Sequence, residues 1–178
     1  MIAVIDTSSL ISLVRYYLPF DKEKILYNLF KDKIESKQII VLDKVFDECR
    51  FISQGIVVKE LDYLAVKKNQ TKTATLFPTK KYYNQLENQF INGSAKNLLT
   101  PAEFENRKNA FLNSADSNLL LYCLTNKSEF MLVTEETAAS NDNKSFKKLP
   151  AICKILDIDV VNLPTLLDGF EEINIQFR

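Results

Sequence analysis

Residues 1–10, with the sequence MIAVIDTSSL, decide the fold of the chain. The run Ile2–Ile5 is short, apolar and mostly β-branched, which is typical of a strand buried on both faces in a parallel sheet. Asp6 ends the run, hydroxyl residues follow it, and apolar residues resume at helical spacing from Leu10. Because open α/β sheets bind ligands at the carboxyl ends of their strands, Asp6 is either a metal-binding carboxylate or only the cap of the next helix.

The rest of the chain repeats this alternation of strands and helices. Further strands are predicted at residues 38–42, 130–133 and 159–161, with an edge strand at 173–177. Helices are predicted between them, at residues 8–17, from 21, from 43, at 59–66, from 100, and at 115–125, 149–156 and 164–170. This order predicts an α/β fold, a three-layer sandwich with a mainly parallel central sheet of four to five strands.

The chain is predicted to be a single domain over residues 1–178, with a basic loop at about 67–81 and a C-terminal tail at about 171–178. It has 23 basic and 23 acidic side chains, so any nucleic-acid binding must depend on a local basic patch. It carries no apolar run of membrane-span length and no secretion signal, which predicts a cytoplasmic protein without a membrane partner.

The composition removes several kinds of chemistry. The chain has no histidine, so it has no Ser-His or Cys-His nucleophile and no imidazole metal ligand. Its three cysteines are far apart and are expected to be buried structural thiols. Acid–base and metal chemistry would therefore come mainly from carboxylates and hydroxyls, and oxygen ligands favour hard cations such as Mg²⁺ or Mn²⁺.

Four carboxylates are placed where an α/β sandwich brings them to one edge of the sheet. They are Asp6, Glu48, Asp116 and Glu136, each near the end of a predicted strand or the start of a helix. Gathered carboxylates repel one another unless a cation lies between them. Metal-assisted phosphodiester hydrolysis uses such a cluster. The alternatives are that Asp116 only favours its helix N-terminus and that Asp47 replaces Glu48.

Four short motifs contain or adjoin these carboxylates. They are Ile-Asp-Thr-Ser-Ser-Leu at 5–10, Val-Phe-Asp-Glu at 45–48, Ala-Asp-Ser-Asn-Leu-Leu at 115–120 and Leu-Val-Thr-Glu-Glu at 132–136. In this order they resemble the motifs of the PIN-domain ribonucleases, which include the VapC-type toxins of bacterial toxin–antitoxin modules. The resemblance runs from residue 1 to about 167. It implies a PIN-like fold, magnesium-dependent endonuclease activity on RNA, often a small antitoxin that blocks the site, and a possible homodimer.

The resemblance also implies residue roles. Asp6 would be the central metal ligand, Glu48 the second, Asp116 the third and Glu136 the fourth, and these four would be the catalytic residues. Ser8 would support Asp6, and Thr134 would orient the fourth corner by hydrogen bonding. The family more often has Asp at the fourth position, so the sequence leaves Glu135 or Asp142 as substitutes for Glu136.

Two basic patches are candidates for nucleic-acid binding. The first is the loop that carries Lys67, Lys68, Lys72, Lys80 and Lys81, which is either a solvated linker or a flap that grips phosphates near the site. Tyr82 and Tyr83 follow it and would stack on unpaired bases. The second patch is Lys144, Lys147 and Lys148.

The resemblance thus implies a magnesium-dependent endoribonuclease, the toxin of a toxin–antitoxin module, with Mg²⁺ or Mn²⁺ as cofactor. The alternative is a non-catalytic PIN-like module that binds RNA or a partner protein. A nucleotide-cofactor enzyme fits poorly, because none of the three glycines follows the first strand, where a pyrophosphate loop needs one.

Overall fold

The computed structural model of the chain describes residues 1–137 and 145–172. Within these residues, five parallel strands form one sheet in the order β3-β2-β1-β4-β5. The strands are β1 (Ile2–Ile5), β2 (Ile39–Leu42), β3 (Gln70–Thr71), β4 (Phe130–Val133) and β5 (Asp159–Val161). Because every pair is parallel, the carboxyl ends of all five strands lie at the same edge of the sheet.

Helices connect the strands and flank the sheet. They are α1 (Thr7–Ser12), α2 (Ile25–Glu35), α3 (Asp43–Phe51), α4 (Ile56–Glu60), α5 (Lys80–Gln85), α6 (Gly93–Lys96), α7 (Pro101–Leu112), α8 (Ala115–Thr125), α9 (Leu149–Leu156) and α10 (Leu163–Asp168). Helix α1 continues as a π-helical turn over Leu13–Tyr17, and α5 continues as another over Leu86–Phe90. Short 3₁₀ turns cover Leu18–Phe20, Ile52–Gly55, Asp62–Ala65 and Lys67–Asn69. Among the described residues, every helix is too short or too polar to cross a lipid bilayer.

The hydrophobic core lies between the sheet and these helices. Strand β2 is buried at all four positions, and Val4 and Ile5 of β1 are fully buried. Phe30 and Ile34 of α2 and Leu119 of α8 belong to the same core cluster. This architecture confirms the predicted three-layer α/β sandwich with a parallel sheet, and it is consistent with a PIN-like fold.

The region predicted as a basic loop at 67–81 contains regular structure, so that prediction was wrong in part. Gln70 and Thr71 form β3, which pairs with the end of β2. The hydroxyl of Thr73 donates to Asp43 Oδ1 at 2.7 Å and fixes the segment beside that strand end. A polar strand of two residues carries no apolar run in the sequence, because it is held by the edge of β2 and not by burial of its own side chains.

Other boundaries moved by a few residues. The helix expected from residue 21 begins at Ile25, and the one expected at 59–66 is replaced by α4 and a 3₁₀ turn. The helices predicted at 115–125 and 149–156 are confirmed. The predicted edge strand at 173–177 lies outside the described residues.

The order of the strands creates a switch point between β1 and β4. From β1 the chain adds β2 and then β3 on one side, and it later returns to place β4 and β5 on the other side. Connections that leave two neighbouring parallel strands in opposite directions open a crevice at the strands' carboxyl ends. Asp6 follows β1 and Thr134 follows β4, so both residues lie at this crevice.

Candidate metal centre

Asp6 lies at the middle of the crevice and is 4% exposed. Its Oδ1 accepts a hydrogen bond from the backbone N–H of Thr7 at 2.7 Å, so it does cap α1. Its Oδ2 accepts hydrogen bonds from the hydroxyls of Ser8 at 2.7 Å and Thr134 at 2.9 Å. These three bonds leave acceptor capacity on the carboxylate, so the cap is compatible with a metal ligand.

Ser8 and Thr134 join the ends of β1 and β4. The backbone N–H of Glu135 donates to Ser8 Oγ at 3.0 Å, and that of Glu136 donates to Thr134 Oγ1 at 3.1 Å. Each hydroxyl therefore contacts Asp6 on one side and the chain after β4 on the other. The structure brings both predicted supporting residues to Asp6, where they fix the orientation of its carboxylate.

The Glu48 side chain extends from α3 to the crevice at Asp6. The hydroxyl of Thr7 donates to Glu48 Oε2 at 2.5 Å, which places this carboxylate beside Asp6. The pKa of the neighbouring Cys49 thiol is raised to about 12, mainly by burial. A hydrogen bond with Thr7 opposes this shift, and the charges of Glu48 and Asp6 add to it. Asp47, the rival of Glu48, is exposed and lies 3.9 Å from Arg50.

Asp116 and Glu136 line one cavity of about 450 Å³. Asp116 is in the first turn of α8, which Ser114 caps by accepting from the N–H of Ser117. Glu136 Oε2 accepts a hydrogen bond from the backbone N–H of Leu149 at 3.1 Å, and Leu149 is the first residue of α9. The fourth predicted ligand therefore stabilises a helix N-terminus in this conformation.

The substitutes for Glu136 lie elsewhere. Glu135 Oε1 accepts a hydrogen bond from the backbone N–H of Leu163 at 2.6 Å, at the start of α10. Burial raises the pKa of Tyr17, and the charge of Glu135 adds to this shift. Asp142 and Lys144 are outside the described residues. The two glutamates after β4 thus contact the N-termini of two different helices.

The four predicted carboxylates form two pairs. Asp6 and Glu48 are bridged by Thr7, and Asp116 and Glu136 share the cavity. Within residues 1–137 and 145–172, no three Asp, Glu or Cys side chains lie close enough together to hold a metal ion. The donors have the oxygen chemistry that Mg²⁺ or Mn²⁺ prefers, but ligation of one ion by all four requires side chains to move.

The lysines around β3 lie at opposite ends of that strand. Lys67 and Lys68 precede β3, at the edge away from Asp6, and Lys68 lies 3.5 Å from Glu35. Lys72 follows β3 and lies 4.0 Å from Asp43. The expectation of one flap near the site was therefore wrong for the first two lysines.

Helix α5 carries the last two lysines of the first basic patch, both exposed, and it contacts α8 through Tyr82. Lys80 and Lys81 begin it, and the hydroxyl of Tyr82 lies 2.9 Å from Ser117 Oγ, next to Asp116. Tyr82 is 1% exposed, so the expectation that it stacks on bases was wrong, whereas Tyr83 is 40% exposed.

Arg107 is the residue of this site that sequence reasoning missed. It lies on α7 and lines the cavity together with Asp116, Lys147 and Lys148. Only two residues separate α7 from α8, and so short a connection makes the two helices neighbours. This short connection is the sequence feature that could have placed Arg107 near Asp116.

Nearly the whole chain matches one protein family. A family model described as "Domain of unknown function (DUF4411)" matches residues 4–173. The chain belongs to the DUF4411 family. The match begins within β1, runs past β5 and includes every carboxylate of the candidate centre. No curated protein and no solved structure matches the chain.

Proposed function

We propose that the protein is a metal-dependent endoribonuclease that hydrolyses RNA phosphodiester bonds. The observation that carries the proposal is Asp6, a buried carboxylate at the switch point of a parallel sheet. Thr7 connects it to Glu48, donating its backbone N–H to Asp6 and its hydroxyl to Glu48. The hydroxyls of Ser8 and Thr134 connect it to the end of β4. This is the position at which open α/β sheets bind their ligands.

Each residue of the site has a role in the proposed reaction. Asp6, Glu48, Asp116 and Glu136 would hold one or two Mg²⁺ or Mn²⁺ ions, which supply an activated water and neutralise charge on the phosphate. Ser8 and Thr134 orient Asp6 through the hydrogen bonds described above. The chain has no histidine, so carboxylates and bound water are left to move protons.

The biological role proposed with this activity is that of a toxin in a toxin–antitoxin module. It is supported by the PIN-domain resemblance of the four motifs. An antitoxin protein would then block the crevice at Asp6, and a homodimer is the proposed assembly.

The proposal is tested by incubating the purified protein with end-labelled single-stranded RNA in MgCl₂ or in EDTA. We expect cleavage in magnesium only. Because metal-assisted charge stabilisation is worth several kcal/mol, we expect Asp6→Asn to lower the rate at least about 100-fold. The matched control is Asp43→Asn, since Asp43 also follows a strand and accepts a hydroxyl hydrogen bond, from Thr73. Cleavage that persists in EDTA or in Asp6→Asn would contradict the proposal.

A second candidate function is a PIN-like module that binds RNA or a partner protein without cleaving. Two observations favour it. Glu136 contacts the start of α9, and the described carboxylates do not form a three-ligand cluster. Binding of the labelled RNA without cleavage in MgCl₂ or MnCl₂ would select this function over the nuclease.

A further inference from the structure

A cavity between α7 and the segment before α9 has a charge pattern that the metal centre does not explain. Its volume is about 450 Å³, and Asp116 and Glu136 line it together with three cations, Arg107, Lys147 and Lys148. We call it the basic cavity. Its volume is in the range of about 300–1,000 Å³ that small-molecule sites occupy, so it accepts more than a single phosphate group.

The aromatic wall of the basic cavity is held in place. Phe146 forms an antiparallel bridge with Ile91, and the backbone N–H of Lys147 donates to Phe90 O at 2.8 Å. The ring of Phe146 stacks on Phe111, with 4.6 Å between ring centroids and 29° between ring planes. Phe111 is buried, whereas Phe146 is half-buried. Both rings line the cavity, so this wall is aromatic and is tied to the segment at Phe90 and Ile91.

Arg107 has no direct ion-pair partner in the described part of the chain. Its charge acts at longer range on Glu103, whose pKa is lowered first by hydrogen bonds from Thr100 and in smaller part by Arg107. Arg107 Nη1 donates to the hydroxyl of Ser145 at 2.8 Å, which is a neutral partner. No ion pair within 4.0 Å joins it to a carboxylate of residues 1–137 or 145–172. A guanidinium has five N–H donors in a planar fork that matches phosphate oxygens. Lys147 is likewise bonded to a neutral group, the backbone carbonyl of Gln89.

We propose that the basic cavity binds one nucleotide of a single-stranded RNA, with its phosphate at Arg107 and its base against Phe146. The choice of RNA rests on the proposed function, and the subsite deepens it. A phosphate-binding cation beside a flat aromatic ring is the combination that holds single-stranded nucleic acid. Because Asp116 and Glu136 line the same cavity, the bound nucleotide adjoins the candidate metal centre.

The test measures binding of a fluorescent decauridylate in EDTA, so that no metal-dependent cleavage contributes. We expect Arg107→Gln to raise the Kd about tenfold and to reduce the slope of log K against log salt by about 1. We expect Phe146→Leu to weaken binding about fivefold without a change in this slope, because a stacked base contributes no counterion release. Arg107 is exposed, so a native thermal melt is expected for its variant.

Two lysines at opposite ends of α9 provide the control. Lys148 precedes the helix and lines the cavity, whereas Lys154 is exposed in its last turn and does not line the cavity. Lys148→Gln should weaken binding, and Lys154→Gln should leave it unchanged. Equal effects of the two lysine variants, no effect of Arg107→Gln, or no binding of decauridylate by the wild-type protein would overturn the proposal.

Two further readouts separate the alternatives. If decaglutamate displaces the RNA as well as unlabelled decauridylate does, the cavity is a surface for an acidic protein and the nucleotide proposal is wrong. Loss of binding in Arg107→Gln supports the subsite even if the wild-type protein fails to cleave RNA in magnesium. Failure of the subsite is thereby distinguished from failure of the nuclease.

Discussion

At the scale of single residues, the hydroxyl of Thr134 connects three parts of the site. It donates to Asp6 Oδ2 at 2.9 Å and accepts from the N–H of Glu136 at 3.1 Å, and Thr134 is 2% exposed. Thr134→Val keeps the shape of the side chain but removes these two hydrogen bonds and a third, with Ser8 Oγ at 3.1 Å. We expect the free energy of unfolding to fall by about 2 kcal/mol, measured by urea denaturation, because buried polar groups lose their partner.

The control for this prediction is Thr125→Val. Thr125 ends α8 and is exposed, and its hydroxyl bonds only the carbonyl of Tyr122 within the described residues. Solvent can replace that bond, so we expect a change within about 0.5 kcal/mol. Equal losses of stability in the two variants would contradict the role assigned to Thr134.

Glu136 has two roles to separate, a helix cap that the structure shows and a metal ligand that we propose. Glu136→Gln keeps an oxygen that can accept from the N–H of Leu149, so we expect unchanged stability and at least about a tenfold loss of RNA cleavage. Glu136→Ala removes the acceptor and should also lower the free energy of unfolding by about 1 kcal/mol. Full cleavage activity in Glu136→Gln would leave the cap as its only role.

At the scale of elements, the turn between α3 and α4 depends on Gly55. Three consecutive residues adopt left-handed conformations, with φ of 53° at Ser53, 58° at Gln54 and 70° at Gly55. A Cβ at Gly55 would lie 3.1 Å from the carbonyl oxygen of Arg50. We therefore expect Gly55→Ala to lower the free energy of unfolding by about 1–2 kcal/mol in chemical denaturation.

Gly93 is the matched control for Gly55. It begins α6, its φ is not positive, and an added Cβ would meet no atom of the described residues within 4 Å. Because alanine favours helices over glycine by up to about 1 kcal/mol, Gly93→Ala should be neutral or stabilising. A destabilisation as large as that of Gly55→Ala would show that the left-handed backbone is not the cause.

The elements also show what local sequence determines. The apolar runs of β1 and β4 and the capping box of α7 were predictable, and the box is present, with Thr100 N–H donating to Glu103 Oε2 at 2.8 Å. Burial of Tyr82 was not predictable, because it depends on Ser117, 35 residues further along the chain.

At the scale of the whole molecule, the core encloses all three cysteines. Burial raises the pKa of Cys49 and of Cys123 to about 12, and it raises that of Cys153 as well. A raised pKa keeps a thiol protonated below that value, and the thiolate is the reactive form. We expect the folded protein to resist iodoacetamide at pH 9, whereas the protein in urea is labelled at three sites. Fast labelling of the folded protein would contradict this burial.

The fold likewise explains which parts of the site the sequence could predict. The meeting of Asp6 with the end of β4 follows from parallel strands alone, because their carboxyl ends share an edge. The directions of the Glu135 and Glu136 side chains do not follow from the strands. Each carboxylate accepts a hydrogen bond from a helix N-terminus, and the position of that helix depends on how the helices pack on the sheet. Arg107 was missed for the same reason, because α7 reaches the cavity only through tertiary packing.

The central claim, that Asp6 gathers ligands for a hard dication, is tested most directly by electron paramagnetic resonance of Mn²⁺. The account predicts that the wild-type protein and Asp43→Asn remove the signal of free Mn²⁺ stoichiometrically, whereas Asp6→Asn leaves it in solution. Absence of Mn²⁺ binding by the wild-type protein, or equal binding by Asp6→Asn, would contradict it.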